Sequence, residues 1–223
     1  MTHFRTTVLL SGRGSNFEAL LKLPSSSASG RQIEFNLVLS DNPSARGLEV
    51  ASSVGIPTKI VERCPKEKSL EKFNEELAKE VLVAKPDLIV LAGFMRVLTK
   101  EFIGKFPNKI INIHPSLLPS FRGLNAVKQA LEAGVKYSGC TAHFVEEIVD
   151  SGKIIAQAIV PVFGNDTEQT LAERILQCEH RLLPAVVKGI ANGEISLLNG
   201  KVVNAREHEY GSSAQLISQN FKD

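Results

Sequence analysis

The 223-residue chain is 43% hydrophobic and 22% charged, proportions that suit a globular protein with a sizeable core and exclude a disordered one. A formal charge of +2 with no basic block gives no electrostatic grip on nucleic acid, and the three scattered cysteines, Cys64, Cys140 and Cys178, spell neither a disulfide framework nor a zinc site. Met1 opens a polar pentad instead of a signal peptide, and no run nears the roughly 18 apolar residues of a membrane helix, so a cytoplasmic protein is expected.

In chain order, short apolar runs alternate with helical periodicity, the pattern of a mostly parallel sheet covered on both faces. Residues 6–10 form a first β-rich run closed by Ser11-Gly12-Arg13-Gly14, and 15–23 place Phe17, Leu20 and Leu21 at helical spacing. A serine-rich surface loop follows at 24–32, then a strand at 35–39. A second helix is predicted over 43–54, capped by Asp41 or Asn42 and stopped by Gly55-Ile56-Pro57. After a strand at 58–61, a helix over 69–84 aligns Leu70, Phe73, Leu77, Val81 and Ala84 on one stripe and ends before Pro86. Buried strands at 88–92 and 109–113, with a short helix around 99–106 between them, complete a doubly wound arrangement of about five strands.

Beyond residue 123 the pattern changes. A helix at 124–133 precedes strands at 140–145 and 154–162, joined by a turn at 149–153. Asp166 or Thr167 caps a long helix to about residue 190, and 195–203 read as a hairpin turning at Asn199-Gly200. The polar tail, 206–223, is expected to be poorly ordered. The fold class is therefore α/β, a doubly wound and mostly parallel sheet with an antiparallel C-terminal extension, in one domain.

Three segments could carry chemistry. Ser11-Gly12-Arg13-Gly14-Ser15-Asn16 sits between a strand and a helix, where glycines let backbone amides approach an anion. It lacks the third glycine of a dinucleotide fingerprint and the lysine of a Walker loop, and suits a single terminal phosphate, although such turns also arise for geometric reasons alone. Asn112 and His114, at i and i+2 of a buried strand, emerge side by side at its carboxyl end, where ligands of open α/β sheets bind. An amide donor beside an imidazole suits acyl transfer: one stabilises an oxyanion, the other moves a proton. Asp150-Ser151-Gly152 is by itself a turn signal, and a carboxylate there would matter only if it met His114. His143, within an apolar strand, reads as a satisfied core histidine, and Glu179-His180-Arg181 as a solvated helix face. Five histidines without ligand spacing give no metal site.

Taken together with Ala92-Gly93-Phe94-Met95-Arg96 and Cys178-Glu179-His180, the Gly-x-Gly-Ser-Asn turn, Asn112-Ile113-His114-Pro115-Ser116-Leu117-Leu118-Pro119 and the Asp150 turn closely resemble the phosphoribosylglycinamide formyltransferases, folate-dependent enzymes of purine synthesis. The match runs in order from about residue 5 to 203. The resemblance implies transfer of the formyl group of 10-formyltetrahydrofolate, as co-substrate, to glycinamide ribonucleotide. It implies a phosphate-binding half at about 1–110 and a folate-binding, catalytic half at 111–205. On this basis Asn112, His114 and Asp150 are the catalytic trio. Gly12, Arg13, Gly14, Ser15 and Asn16 hold the phosphate and Glu179 the ribose, while Met95, Arg96, Val97, Leu98, Thr141, His143 and Val145 line the folate cleft. Some members carry a phosphate-contacting arginine near Ser69; here Ser69 or Leu70 stands in that place, leaving Lys68 as its substitute or none. The partners implied are small molecules only, with the protein a monomer or homodimer. The alternatives are a formyltetrahydrofolate hydrolase or methionyl-tRNA formyltransferase of the same fold, or a binding module without turnover.

Overall fold

The computed structural model describes residues 3–23, 31–63 and 69–204. The first half comprises β1 (His3–Leu10), α1 (Ser15–Leu21), β2 (Gln32–Ser40), α2 (Arg46–Ser53), β3 (Thr58–Ile60), α3 (Leu70–Ala84), β4 (Leu88–Leu91) and α4 (Lys100–Lys105). The second comprises β5 (Ile110–His114), α5 (Ala126–Glu132), β6 (Tyr137–Phe144), β7 (Ile154–Pro161), α6 (Glu168–Ala191), β8 (Ile195–Leu198) and β9 (Lys201–Asn204). Seven strands form one sheet in the order β3-β2-β1-β4-β5-β6-β7, and β8 and β9 pair apart from it. The first five are parallel. Strands β6 and β7 continue the sheet antiparallel, as the change of pattern after residue 123 predicts. Strand order reverses between β1 and β4, which opens a crevice at their carboxyl ends.

Side-chain alternation on β1 feeds both layers: Val8 and Leu10 join Phe17, Leu20, Leu48, Ile175 and Leu182 from α1, α2 and α6. Leu9 instead meets Phe73, Leu77 and Val81 of α3 and Phe102 of α4. The stripe predicted on α3 is thus the face it buries, and the Ser69 hydroxyl starts that helix by accepting from the Lys72 amide at 3.2 Å. Two helix starts fall later than the spacing predicts. Helix α2 begins at Arg46 with Ala45 as its cap, because Asn42 spends its side chain on the Ser44 amide and Asp41 pairs with Arg96. Helix α5 begins only after Asn125, whose φ of 59° is left-handed. Most of the serine loop, Cys64, Lys68 and the polar tail lie outside the described residues.

Strands β6 and β7 approach closely because position 139 has no side chain. A Cβ on Gly139 would fall on the Ala158 carbonyl oxygen and come within 2.9 Å of Leu117 Cδ2. Gly139→Ala is therefore expected to destabilise the protein by about 1–3 kcal/mol, the usual result of overpacking, seen as a melting temperature several degrees lower. An unchanged melting curve would show that the sheet edge yields freely.

Candidate active site

Strand β5 delivers Asn112 and His114 to the same side of the sheet, while Ile111 and Ile113 enter the core on the other. Across from it, antiparallel β6 sets His143 opposite Asn112 and Thr141 opposite His114. The segment between β6 and β7 folds back so that Asp150, at φ 53°, turns its carboxylate towards both strands. Left-handed backbone of this kind is tolerated by aspartate better than by most residues. The turn is pinned by the Ser151 amide and hydroxyl, which both donate to the Ile148 carbonyl, at 3.2 and 2.7 Å.

These side chains meet at one point. His114 Nδ1 lies 3.3 Å from Asp150 Oδ2, which also accepts from the Gly123 amide at 2.9 Å. Asn112 Nδ2 lies 3.5 Å from Asp150 Oδ1 and 3.3 Å from His143 Nε2. His114 is 5% exposed, and its Nε2 stands 2.9 Å from the Phe121 carbonyl. A carbonyl only accepts, so Nε2 carries a hydrogen. Burial would raise the Asp150 carboxyl, but the two histidine rings beside it and the Gly123 amide outweigh that and hold it below the usual carboxylate range. An ionised Asp150 facing Nδ1 then calls for a hydrogen there too, and the pair is best written as imidazolium and carboxylate.

The cluster forms one wall of a cavity of about 560 Å³, whose other walls include Met95, Arg96, Val97, Leu98, Val145 and Leu124. Asn112, His114, His143 and Asp150 therefore share this space with most of the residues expected of a folate cleft. Thr141 does not. It is fully buried, and its hydroxyl donates to the Ser116 carbonyl while accepting from the Leu118 amide and the Gln157 side chain. That network braces the loop carrying Phe121. His143, expected to be a core histidine, does lie at 1% exposure, yet its Nε2 faces the site. Its pairing with Asn112 depends on an antiparallel register that no local signal reveals.

The glycine turn stands beside the cavity wall: the Ser11 amide donates to the Gly93 carbonyl at 3.1 Å and the Ser11 hydroxyl accepts from the Met95 amide at 2.8 Å. Gly14 has a φ of 77°, and a Cβ there would sit 2.7 Å from Gly47 Cα, so the turn needs glycine twice over. Gly12 and Arg13 are exposed, and Asn16 is buried with its Nδ2 donating to Glu179 Oε2 at 2.8 Å. The structure thus joins two predicted residues 163 positions apart. Contrary to the solvated face expected of α6 there, Glu179 is 6% exposed. The side-chain oxygen Oδ1 of Asn16 beside it has no hydrogen-bond partner among the described residues.

Burial pushes the Glu179 carboxyl up, and the Asn16 hydrogen bond offsets only part of that. A carboxyl that titrates higher in the folded than in the unfolded state costs stability as pH rises from its ordinary value of 4.5 through its folded one. Glu179→Gln, which keeps an acceptor for Asn16, is accordingly expected to melt above the wild type at neutral pH. The gain should vanish below about pH 4, where the carboxyl is neutral in both states. A lower melting temperature at pH 7 would mean the ionised form is the better fitted one.

Among the described residues no His, Cys, Asp and Glu cluster suits a metal ion, and no helix is long and apolar enough to cross a membrane.

Residues 4–187 match the family described as formyl transferase. The chain is 37% identical over 190 residues to the phosphoribosylglycinamide formyltransferase of Escherichia coli (strain K12), covering 85% of this chain and 88% of that one. Over 189 residues it is 45% identical to the trifunctional purine biosynthetic protein adenosine-3 of Drosophila melanogaster, covering 85% of this chain but only 14% of that longer protein. A crystal structure of phosphoribosylglycinamide formyltransferase from Anaplasma phagocytophilum superposes with a TM-score of 0.82 at 48% identity, covering 91% of this chain and 95% of that one. With the family's pattern spanning most of the chain and full-length relatives matching on this branch, the chain belongs to the formyl transferase family, among the phosphoribosylglycinamide formyltransferases.

Proposed function

We propose that this chain transfers the formyl group of 10-formyltetrahydrofolate to the amine of glycinamide ribonucleotide. The observation that carries the reading is the convergence of Asn112, His114 and Asp150, from two separate segments, on the wall of a largely apolar cavity. The glycine turn and the Asn16–Glu179 pair supply a polar site for a phosphorylated ribose on the neighbouring strand ends.

In this mechanism the neutral amine attacks the formyl carbon, a C–N bond forms, and the carbonyl oxygen gathers negative charge. Asn112 donates to that oxygen and the His114 imidazolium places a positive charge beside it. Asp150 keeps His114 charged and accepts a proton as the amine loses it. The proton passes to the departing folate nitrogen as its bond to the formyl carbon breaks. Chain residues remain unmodified throughout. Met95, Arg96, Val97, Leu98 and Val145 would hold the folate.

A label on the formyl carbon tests the reading: it should appear in the ribonucleotide, whereas label released as formate marks a hydrolase. The two binding regions should also separate kinetically. Glu179→Gln is expected to raise the Michaelis constant for the ribonucleotide and leave that for the folate unchanged. Equal effects on both constants would remove Glu179 from the ribose site.

A further inference from the structure

We propose that His143 is a positioning residue for this transfer: as a neutral ring it accepts a hydrogen bond from the Asn112 carboxamide and so fixes which way that amide faces the reacting carbonyl. The role rests on the function proposed above, and its test is built so that the two can fail separately.

Geometry sets the tautomer. His143 Nδ1 stands 2.8 Å from the Phe144 carbonyl oxygen, which can only accept, so Nδ1 carries the hydrogen. In the neutral ring Nε2 is then bare, and it lies 3.3 Å from Asn112 Nδ2, a group that can only donate. The pair is matched in that state and no other. Burial strengthens the preference, because the ring is 1% exposed.

Asn112 needs such a guide. The two ends of a carboxamide have nearly the same shape, and a half-turn about the side chain would present a carbonyl oxygen to the developing oxyanion, turning attraction into repulsion. The charged group facing His143 is Asp150, whose Oδ1 lies 3.5 Å from Nε2 and whose other oxygen holds His114. A proton drawn onto Nε2 by that carboxylate would make donor face donor and oblige Asn112 to turn. His114 and His143 therefore work in opposite states, one charged and one neutral, around a single carboxylate.

Long-range proton–nitrogen NMR of the wild-type protein at its working pH tests the tautomer without a mutation. A bare Nε2 with a protonated Nδ1 is expected; a hydrogen on Nε2 overturns the proposal. Two substitutions then divide the roles of the ring. His143→Asn retains a donor for the Phe144 carbonyl but removes the acceptor, and turnover is expected to fall by up to about 100-fold with both Michaelis constants little changed. His143→Gln can present an oxygen where Nε2 stood, and should recover most of the turnover. In an Asn112→Ala background, His143→Asn should add almost nothing. An equal further loss there would indicate a merely structural ring and overturn the proposal, as would full-rate turnover by His143→Asn. A wild type that fails to formylate the ribonucleotide in the same assay instead sinks the function reading.

Discussion

Asp150→Asn is expected to lower turnover by about 100- to 1,000-fold, the usual cost of losing one preorganised stabiliser of a developing oxyanion. The substitution preserves shape, so the Gly123 amide keeps an acceptor and the turn at 148–151 keeps its hydrogen bonds. What it removes is the charge 3.3 Å from His114 Nδ1. Without that charge the His114 ring loses its ionic partner, and the stabilisation of the oxyanion rests mainly on Asn112. Michaelis constants should move little, because the trio acts on the transition state more than on either bound substrate. Stability should respond in a defined pH range. A carboxyl held low by the fold contributes stability above the ordinary carboxylate range, and loses it as pH falls through its folded value. The variant should lack that acid-side slope. Near-normal turnover would remove Asp150 from the chemistry.

The second large effect comes from a residue with no functional group. A Cβ on Gly152 would fall on the Phe144 carbonyl oxygen, 2.8 Å from its carbon and 3.3 Å from the Glu146 amide nitrogen. All three atoms are backbone, so no side chain can swing aside, and the segment carrying Asp150 has to lift from β6. Gly152→Ala is expected to cost about 100-fold in turnover, since displacements near 1 Å suffice for such losses. The strain itself amounts to about 1–3 kcal/mol, and the protein should still fold. Ribonucleotide binding, built on Asn16 and Glu179, should be spared. Binding measured alongside turnover checks both points. Full turnover would mean that the 145–153 segment shifts without carrying its carboxylate away.

How far the site is legible before folding depends on the range of each interaction. Asn112 and His114 are readable because the two-residue period of a strand is local, and their position at a strand's end follows from the parallel pattern around them. Asp150 looks like an ordinary turn until β6 and β7 bring that turn back over β5. His143 is the clearest failure of local reading. Its neighbours are apolar and its ring is buried, yet the pairing Asn112↔His143 points Nε2 into the site. Glu179 likewise becomes interior only because α6 packs on α1, which sets it against Asn16. The late start of α2 has the same origin in competition for side chains. Asn42 and Asp41 are good caps by type, but Ser44 and Arg96 engage them first.

Consumption of 10-formyltetrahydrofolate by the purified protein, followed by absorbance with and without glycinamide ribonucleotide, tests the central claim most directly. The expected result is folate turnover that requires the ribonucleotide, with one formylated product formed for each folate released. Equal turnover in its absence would make the chain a hydrolase and contradict direct transfer between the two bound substrates.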